Sequence, residues 1–510
     1  MNRRKFLHNS AASVVIAGGL QSSGRAGYRA SLNSKDRVKF TGYTGDDVYL
    51  SPSDVAAMKR DFDGSLYQPG DAGYDSARSI WNACINKRPK IITRPASSIE
   101  VSKIVRFAHQ NGISLSIRGG GHNHNGYAVS DGGMMMDLSQ MNQGELRLHD
   151  RSVLAQAGMT FSQFDTLNHR AGLATTGPIV SMVGLPGYTL GGGIGWLHRK
   201  FGAGCDNLIG AEVVTPSGEI VRTNTKENED LLWALRGGGG NFGVTTQLHY
   251  RLHPLNDVFA GLIFFSLNDL DIVGRVLDDY LDAAPDDLNV WMLHRMAPSS
   301  PLLQKEHHGK PVLILAVTWT GAQSDDERVI APLLKLATPL GASIKRRAYP
   351  EWQSALDSAW GDGFCNEWVG GYLNSYDRNV RNIISRFVNA ASSPISDVKV
   401  ARLGGEFSRV GPADSAFGHR KAKYAYVIQT RWPLAQDAKA HLAWTYEFHS
   451  ALGAIDAGGV YVNFIGKEEQ PSRVSDAYEP ETFKRLRLTK SRIDPDNFFN
   501  QNANIKPLGA

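Results

Sequence analysis

The sequence predicts an α+β protein with two domains, and three observations lead to that prediction. The chain has 510 residues, which is more than a single hydrophobic core usually organises. Many of its 53 glycines are clustered at residues 118–133, 184–195, 202–210 and 237–243, and no such cluster follows residue 257. From there to residue 455, strand-like runs alternate with helix-like runs. We therefore expect a glycine-rich first domain and a second domain in which helices cover a sheet.

The composition excludes several functional classes. Hydrophobic residues make up 42% of the chain and charged residues 21%, as in ordinary globular proteins. The net charge of +5 is spread without a long basic run, so we expect no nucleic-acid partner. Cys84, Cys205 and Cys365 lack the spacing of metal ligands, and we expect no metal site. An oxidising compartment would allow one disulfide, but the sequence does not choose a pair.

The first thirty residues resemble a twin-arginine export signal. Arg3 and Arg4 precede Phe6-Leu7, and a mildly apolar stretch follows at residues 11–20. That stretch is too short to span a bilayer, and we expect no stable membrane span elsewhere. The expectation is that residues 1–30 engage the twin-arginine export machinery and that the mature protein is periplasmic or extracellular. The cleavage site stays open.

Individual elements follow from hydrophobic periodicity and end signals. Ile91–Arg94 reads as a strand stopped by Pro95, and Ser97 or Ser98 caps a helix whose apolar residues share one face. Residues 113–117 alternate like a strand. Further strands are predicted at 133–138, 152–157, 208–214, 312–318 and 424–430, and further helices at 228–235, 326–337, 437–452 and 480–491. Residues 31–80 show no strong periodicity.

The strand at 113–117 runs directly into Arg118-Gly119-Gly120-Gly121-His122. Glycines without side chains let several backbone N–H groups approach a pyrophosphate closely. The spacing is neither that of a dinucleotide-binding GxGxxG loop nor that of a P-loop. The motif therefore favours neither a nicotinamide-dependent enzyme nor an NTPase.

Several segments in a fixed order carry a family resemblance. They are Arg94-Pro95, residues 118–123, residues 187–195, Cys205-Asp206-Asn207, residues 233–243, residues 461–464, residues 494–499 and residues 504–507. In this order they resemble the FAD-linked oxidases of the berberine bridge enzyme type, in the vanillyl-alcohol oxidase superfamily. The resemblance implies a PCMH-type FAD-binding domain of two subdomains at 31–256, a substrate domain at 257–456 and a C-terminal segment, 457–510, that returns to the FAD domain.

The resemblance also implies the cofactor and its attachment. His122 matches the histidine that bonds the flavin 8-methyl carbon, and Val180 stands where many members have a second attachment cysteine. We therefore expect FAD held by a single covalent bond through His122. The implied cofactor-binding residues are Arg118, Gly119, Gly120, Gly121, His122, Asn123, Val183, Gly184, Gly187, Gly191, Gly192, Gly193, Gly195, Cys205, Asp206, Gly243, Val244 and Asn463.

On the substrate side, the resemblance implies a base or polar clamp near the flavin. Tyr461 matches the tyrosine of many alcohol- and sugar-oxidising members, and Gln429, Arg431 and His124 are further catalytic candidates. We expect an oxidase that removes a hydride from an alcohol or sugar-type small molecule and passes electrons to O2, giving H2O2. The alternatives are oxidation of a C–N bond in an alkaloid-like amine, a dehydrogenase with another acceptor, and an inert flavin-binding protein.

Overall fold

A computed structural model describes residues 37–469 and 472–509, so the predicted export signal lies outside the described residues. The strands are β1 Val38–Thr41, β2 Asp47–Leu50, β3 Ser65–Tyr67, β4 Ile91–Arg94, β5 Leu115–Arg118, β6 Met134–Asp137, β7 Gly144–Arg147, β8 Ser152–Gln156, β9 Leu173–Ala174, β10 Leu208–Val214, β11 Ile220–Asn224, β12 Val244–Arg251, β13 His253–Pro254, β14 Asp257–Ser266, β15 Leu288–Met296, β16 Pro311–Trp319, β17 Gly341–Ala348, β18 Phe364–Leu373, β19 Asp397–Arg402 and β20 Tyr424–Pro433. The helices are α1 Pro52–Arg60, α2 Tyr74–Arg78, α3 Ser98–Gln110, α4 Phe161–His169, α5 Leu185–Leu190, α6 His198–Phe201, α7 Glu229–Leu235, α8 Leu270–Ala283, α9 Asp326–Leu334, α10 Tyr349–Gln353, α11 Arg378–Asn389, α12 Glu406–Arg409, α13 Lys439–Gly453 and α14 Pro480–Ile493. This mixture of helices and sheets confirms the predicted α+β class.

The first domain contains two principal sheets. A four-stranded sheet has the order β3-β4-β6-β5, in which β4, β6 and β5 are parallel, and a five-stranded antiparallel sheet has the order β11-β10-β12-β8-β7. Helix α3 packs against β10, β11 and β12, and one hydrophobic cluster extends through both sheets. These are the two subdomains that the sequence predicts.

Helix α3 forms where the sequence places it. The side chain of Ser97 accepts a hydrogen bond from the Glu100 backbone N–H at 3.3 Å, and the Glu100 carboxylate accepts one from the Ala96 N–H at 2.6 Å. The four apolar residues of its predicted face, Val101, Ile104, Val105 and Ala108, are all buried. Two satisfied N-terminal donors and one apolar stripe account for this helix.

A seven-stranded antiparallel sheet forms the second domain, with the order β17-β14-β16-β15-β19-β20-β18. Its strands lie between residues 257 and 433, within the predicted substrate domain. Helices α8, α9, α11 and α13 contribute to the hydrophobic cluster on one face of the sheet. The opposite face contributes to a second cluster, which includes Trp196 and Tyr461 from the first domain and the C-terminal segment. The sheet therefore has helices on one side and the first domain on the other.

The C-terminal segment returns to the first domain. Helix α14 packs against α7, and Phe498, Phe499 and Ile505 join the hydrophobic cluster of the two first-domain sheets. The chain thus leaves the first domain before β14 and comes back after α13. Among the described residues, no helix is both long enough and apolar enough to cross a membrane.

Most predicted bounds differ from the observed ones by one to three residues. The strand predicted at 113–117 is Leu115–Arg118, and the helix predicted at 326–337 ends at Leu334. Residues 37–80, for which the sequence shows no periodicity, contain β1, β2, α1, β3 and α2. Strands of three or four residues are too short to display an alternating pattern, which is why the sequence does not reveal β1, β2 and β3.

Candidate active site

A cavity of about 320 Å³ lies between the two domains. Its first wall is formed by the loop after β5, the loop before α5 and the start of β12. The opposite wall belongs to the seven-stranded sheet and its connections, and the C-terminal segment closes one side. The predicted site residues that line it are Gly119, Gly120, Gly121, His122, Asn123, His124, Val183, Gly184, Gly187, Gly243, Val244, Gln429, Tyr461 and Asn463.

Glycines in the cavity wall serve two different purposes. The loops of Gly120 and Gly184 cross so closely that a Cβ atom on Gly120 would lie 2.3 Å from the Gly184 nitrogen. A Cβ on Gly187 or Gly240 would instead meet nothing within 4 Å. The first pair brings two backbones together, and the second pair leaves room for a ligand against bare backbone. This open cradle fits an extended phosphate-containing cofactor such as FAD.

His122 has the environment of an attachment residue. Its ring stacks on Trp81 with centroids 4.3 Å apart and an angle of 18° between the planes. Burial lowers the pKa of His122 to about 3, so the imidazole is neutral at physiological pH. Its Nε2 is buried and has no hydrogen-bond partner within the described part of the chain. A neutral ring fixed by stacking fits a covalent link to flavin.

Tyr461 lines the cavity and lies just before a short 3₁₀ turn, Val462–Phe464. The oxygen accepts hydrogen bonds from the Gly193 N–H at 2.9 Å and from Asn463 Nδ2 at 2.8 Å. Burial raises the pKa of Tyr461, so the phenol keeps its proton at neutral pH. With two donors directed at the oxygen, the hydroxyl proton is left to bind a ligand.

His124 also lines the cavity. Its ring stacks on Trp368 with centroids 5.3 Å apart, and its Nε2 lies 3.1 Å from the carbonyl oxygen of Ile465. That carbonyl can only accept, so Nε2 carries the proton. Burial lowers the pKa of His124 to about 4, which keeps the imidazole neutral.

Lys399 lines the cavity and is a site residue that the sequence analysis misses. It is 3% exposed, and its Nζ donates to Asp397 Oδ1 at 2.5 Å and to Gln429 Oε1. Burial lowers the pKa of Lys399 to about 8. A signal was present in the sequence, because Asp397-Val398-Lys399-Val400 places two charged residues on one face of a strand that is otherwise apolar.

Several predicted site residues do not line the cavity, and each has another role. Arg118 donates to the carbonyl oxygen of Ala77 at 3.0 Å, and Arg431 donates to those of Ala359 and Gly361. Arg431 also lies over the ring of Trp81, 5.7 Å from its centroid, so it supports the residue on which His122 stacks.

Cys205 and Asp206 are likewise behind the cavity wall. Asp206 forms a buried ion pair with Arg420, at 2.6 Å, and accepts a hydrogen bond from the Ala203 N–H. Cys205 is fully buried, and its burial raises the pKa of the thiol. Both residues stabilise the short 3₁₀ turn Gly204–Asn207 and do not contact the cavity.

The glycines at 191, 192, 193 and 195 allow close packing behind the wall. A Cβ on Gly191 would lie 2.3 Å from Asn463 Oδ1, and one on Gly195 would lie 1.7 Å from the Gly177 oxygen. Gly192 and Gly193 have positive φ angles and pack against Phe417 and Tyr188. Gly193 still contributes to the site, through its N–H bond to Tyr461.

The two walls are joined covalently beside His122. Cys84 and Cys365 form a disulfide with Cα atoms 4.8 Å apart, which is the pair that the sequence left open. Nearby, Asn82 Nδ2 donates to the carbonyl oxygens of His124 and Asn366, at 2.6 and 2.8 Å. The loop that carries His122 and His124 is therefore fastened to strand β18 of the second domain.

A glycine-lined cleft between a two-subdomain α/β domain and a helix-covered sheet, with a neutral histidine in its first loop, defines a flavin-dependent oxidoreductase. The family model described as "FAD binding domain" matches residues 89–224, and the one described as "Berberine and berberine like" matches residues 460–506. The chain is similar to the (R)-6-hydroxynicotine oxidase of Paenarthrobacter nicotinovorans, with 31% identity over 88% of this chain and 97% of that protein. It is also similar to an FAD-linked oxidoreductase of Dictyostelium discoideum, with 26% identity over 88% of this chain and 95% of that one.

Solved structures agree with this assignment. The crystal structure of 6-hydroxy-D-nicotine oxidase from Arthrobacter nicotinovorans matches with a TM-score of 0.79 and 29% identity, over 87% of this chain and 98% of that one. Glucooligosaccharide oxidase from Acremonium strictum shares the fold, with a TM-score of 0.79 and 18% identity over 90% of this chain and the whole of that one. The protein belongs to the FAD-linked oxidoreductases of the berberine bridge enzyme-like family. It is an enzyme, which sets aside the alternative of an inert flavin-binding protein.

Proposed function

We propose that this enzyme removes a hydride from a carbon that bears an alcohol, in a small organic or sugar-type substrate, with FAD held covalently by His122 alone. The observation that carries the proposal is Tyr461, which lines the cavity and whose hydroxyl oxygen accepts hydrogen bonds from two N–H donors. The bound FAD supplies the hydride acceptor. The backbone of the glycine loops and His122 hold it, and Val180 at the second attachment position leaves no cysteine for another bond.

A group of the protein must accept the proton that leaves the substrate oxygen. At rest Tyr461 is a neutral phenol because burial raises its pKa, so its proton donates to the substrate oxygen and orients the reacting carbon. To act as the base, Tyr461 must first release its own proton to solvent, and the Gly193 N–H and Asn463 Nδ2 stabilise the resulting phenolate. The phenolate then takes the proton of the substrate hydroxyl group as the hydride leaves the carbon, which regenerates the neutral phenol.

Replacing Tyr461 with Phe tests this role because only the hydroxyl is lost. Flavin reduction measured anaerobically by stopped flow should slow by roughly 10²- to 10⁴-fold, whereas the substrate Kd should change much less. Asn463→Ala is the matched variant, since it removes one donor and keeps the phenol. An unchanged reduction rate in Tyr461→Phe would transfer the proton-handling role to His124 or Lys399.

A second candidate is oxidation of a C–N bond in an alkaloid-like amine. It is favoured by the 31% identity to a nicotine-derivative oxidase along nearly the whole of both chains. It is disfavoured by Lys399, because a protonated amine would enter beside a buried cation. Anaerobic bleaching of the flavin by a panel of alcohols, sugars and amines separates the two. Bleaching by amines alone would replace the first proposal with the second.

We further propose that O2 accepts the electrons, giving H2O2, and that the protein is exported through the twin-arginine pathway. Val183 supports the first point because it lines the cavity, and the family resemblance places it at the position whose side chain tends to gate oxygen access in plant members, where a valine goes with oxygen reactivity. The Arg3-Arg4 pair supports the second. Changing both arginines to Lys should retain folded, yellow protein in the cytoplasm, and export at the wild-type level would contradict the signal.

A further inference from the structure

The end of the cavity formed by the second domain has aromatic walls. The rings of Trp291, Trp360, Trp368 and Phe464 line it. Trp368 and Phe464 meet edge to face with centroids 6.1 Å apart, and Trp368 also stacks on His124. Such walls favour a planar, apolar ligand body and exclude water from it.

Besides the indole N–H groups of these tryptophans, two polar side chains line this end, and both offer donors. The ammonium group of Lys399 has three N–H donors, of which Asp397 Oδ1 and Gln429 Oε1 use two. Its Nζ also lies over the ring of Trp360, 4.6 Å from the centroid. Because the Gln429 oxygen accepts from a cation, the amide orientation is fixed. Gln429 Nε2 is then buried with no partner among the described residues.

The charges around Lys399 do not cancel. Asp397 is the carboxylate that contacts it, whereas Arg295 lies 3.6 Å from Asp397 and Arg431 lies on the same face of β20 as Gln429. All the charged side chains of this group are at least nine-tenths buried, so three cations face one carboxylate: Lys399, Arg295 and Arg431 face Asp397. A buried excess of positive charge favours a ligand that brings negative charge.

We propose that the substrate is an aromatic molecule with an anionic oxygen substituent, a carboxylate or a phenolate, bound by Lys399 Nζ and Gln429 Nε2 between the tryptophan walls. The inference deepens the proposed function, because it takes the second-domain end of the cavity to be the substrate end. Lys399 then anchors the charged substituent, whereas Tyr461 binds the oxygen on the reacting carbon. Neutral sugars lack this charge and are poorer ligands.

Binding of small probes to the flavin-loaded enzyme tests the proposal without turnover. Benzoate, benzamide and benzylamine share one ring and differ in charge, and their Kd values can be measured by calorimetry and by perturbation of the flavin absorption. Benzoate should bind about 10- to 100-fold more tightly than benzamide, as expected for a charge-assisted hydrogen bond in a buried site. Its affinity should fall as the pH rises above about 8, where Lys399 loses its proton.

Three variants locate the effect. Lys399→Met should abolish the preference for benzoate. The double variant Lys399→Met, Asp397→Asn should do the same without leaving an uncompensated carboxylate, so the proposal can be tested even if the single variant folds poorly. Lys423→Met is the matched control, because Lys423 pairs with Asp278 and Asp282 outside the cavity and its loss should change nothing.

Equal affinity for benzoate and benzamide, binding of none of the three probes, or a preference that survives in Lys399→Met would each overturn the proposal. A Lys399→Met enzyme with an altered flavin reduction potential and unaltered benzoate affinity would also overturn it, since the charge would then act on the cofactor. Failure of the proposed function is recognised separately, because it shows in the anaerobic bleaching panel and not in probe binding.

Discussion

Lys490 holds the C-terminal segment against the cofactor wall, and its replacement should cost both stability and flavin. Its ammonium is fully buried and all three N–H donors are used, on Asp494 Oδ2 at 2.6 Å, Asn241 O at 2.8 Å and Phe499 O at 3.0 Å. Asp494 is equally buried and accepts from the N–H groups of Phe498 and Phe499. Asn241 lines the cavity, so the cluster connects α14 directly with the candidate cofactor site.

Lys490→Met removes the cation and keeps most of the side-chain volume. Breaking a buried ion pair from one side typically costs about 3–5 kcal/mol, and the two N–H bonds that Asp494 retains place this case at about 3 kcal/mol. That figure includes the cost of leaving the carbonyl groups of Asn241 and Phe499 without their hydrogen-bond donor. The loosened Asn241 loop should also lower the ratio of flavin to protein.

Denaturant titration monitored by flavin fluorescence measures the free energy of unfolding. Absorbance gives the ratio of flavin to protein. The double variant Lys490→Met, Asp494→Asn should recover more than half of the loss, because no buried charge remains unpaired. A loss below about 1 kcal/mol in the single variant, or equal losses in the single and double variants, would refute this reasoning.

Three further outcomes are expected. His122→Ala should release flavin on denaturation while Cys205→Ala should retain one flavin by mass spectrometry, and the reverse pattern would reject the attachment residue. Val183→Leu should slow reoxidation by O2 in stopped flow and leave substrate reduction nearly intact, whereas wild-type flavin that stays reduced in air but reacts with a quinone would make the enzyme a dehydrogenase. Asp165 is fully buried with no hydrogen-bond partner in the described residues, and burial raises its pKa. The folded wild-type protein therefore loses stability relative to the unfolded state as the pH rises above about 4. Asp165→Asn should be more stable than the wild type by about 1–3 kcal/mol at pH 7 and no more stable at pH 3. Equal effects at both pH values would contradict this.

Local signals of the sequence predict the parts of the fold that depend on local chemistry. Helix α3 begins at a serine cap with a glutamate in its first turn, and the apolar residues of its buried face all lie within the helix. The loop after β5 is recognised because three consecutive glycines have few other uses. In both cases the residues that decide the structure are neighbours along the chain.

The remaining site features depend on partners distant in sequence. Lys399 acquires its role from Gln429 on the adjacent strand, and the Cys84–Cys365 disulfide joins residues 281 positions apart. In the glycine motif at 187–195, the sequence alone does not distinguish a glycine that lines the cavity from one that packs behind its wall. Gly187 faces open space and Gly191 packs against Asn463, a distinction that arises only when the C-terminal segment is in place.

The disulfide also bears on how ligands enter and leave. The backbone crosses between the domains twice, before β14 and after α13, and two connections still permit one domain to rotate about the line that joins them. Cys84–Cys365 is a third covalent connection, placed beside the cleft that such a rotation would widen. A hinge opening of whole domains is therefore resisted at the cleft. We therefore expect substrate and product exchange to depend on movements of individual loops and side chains.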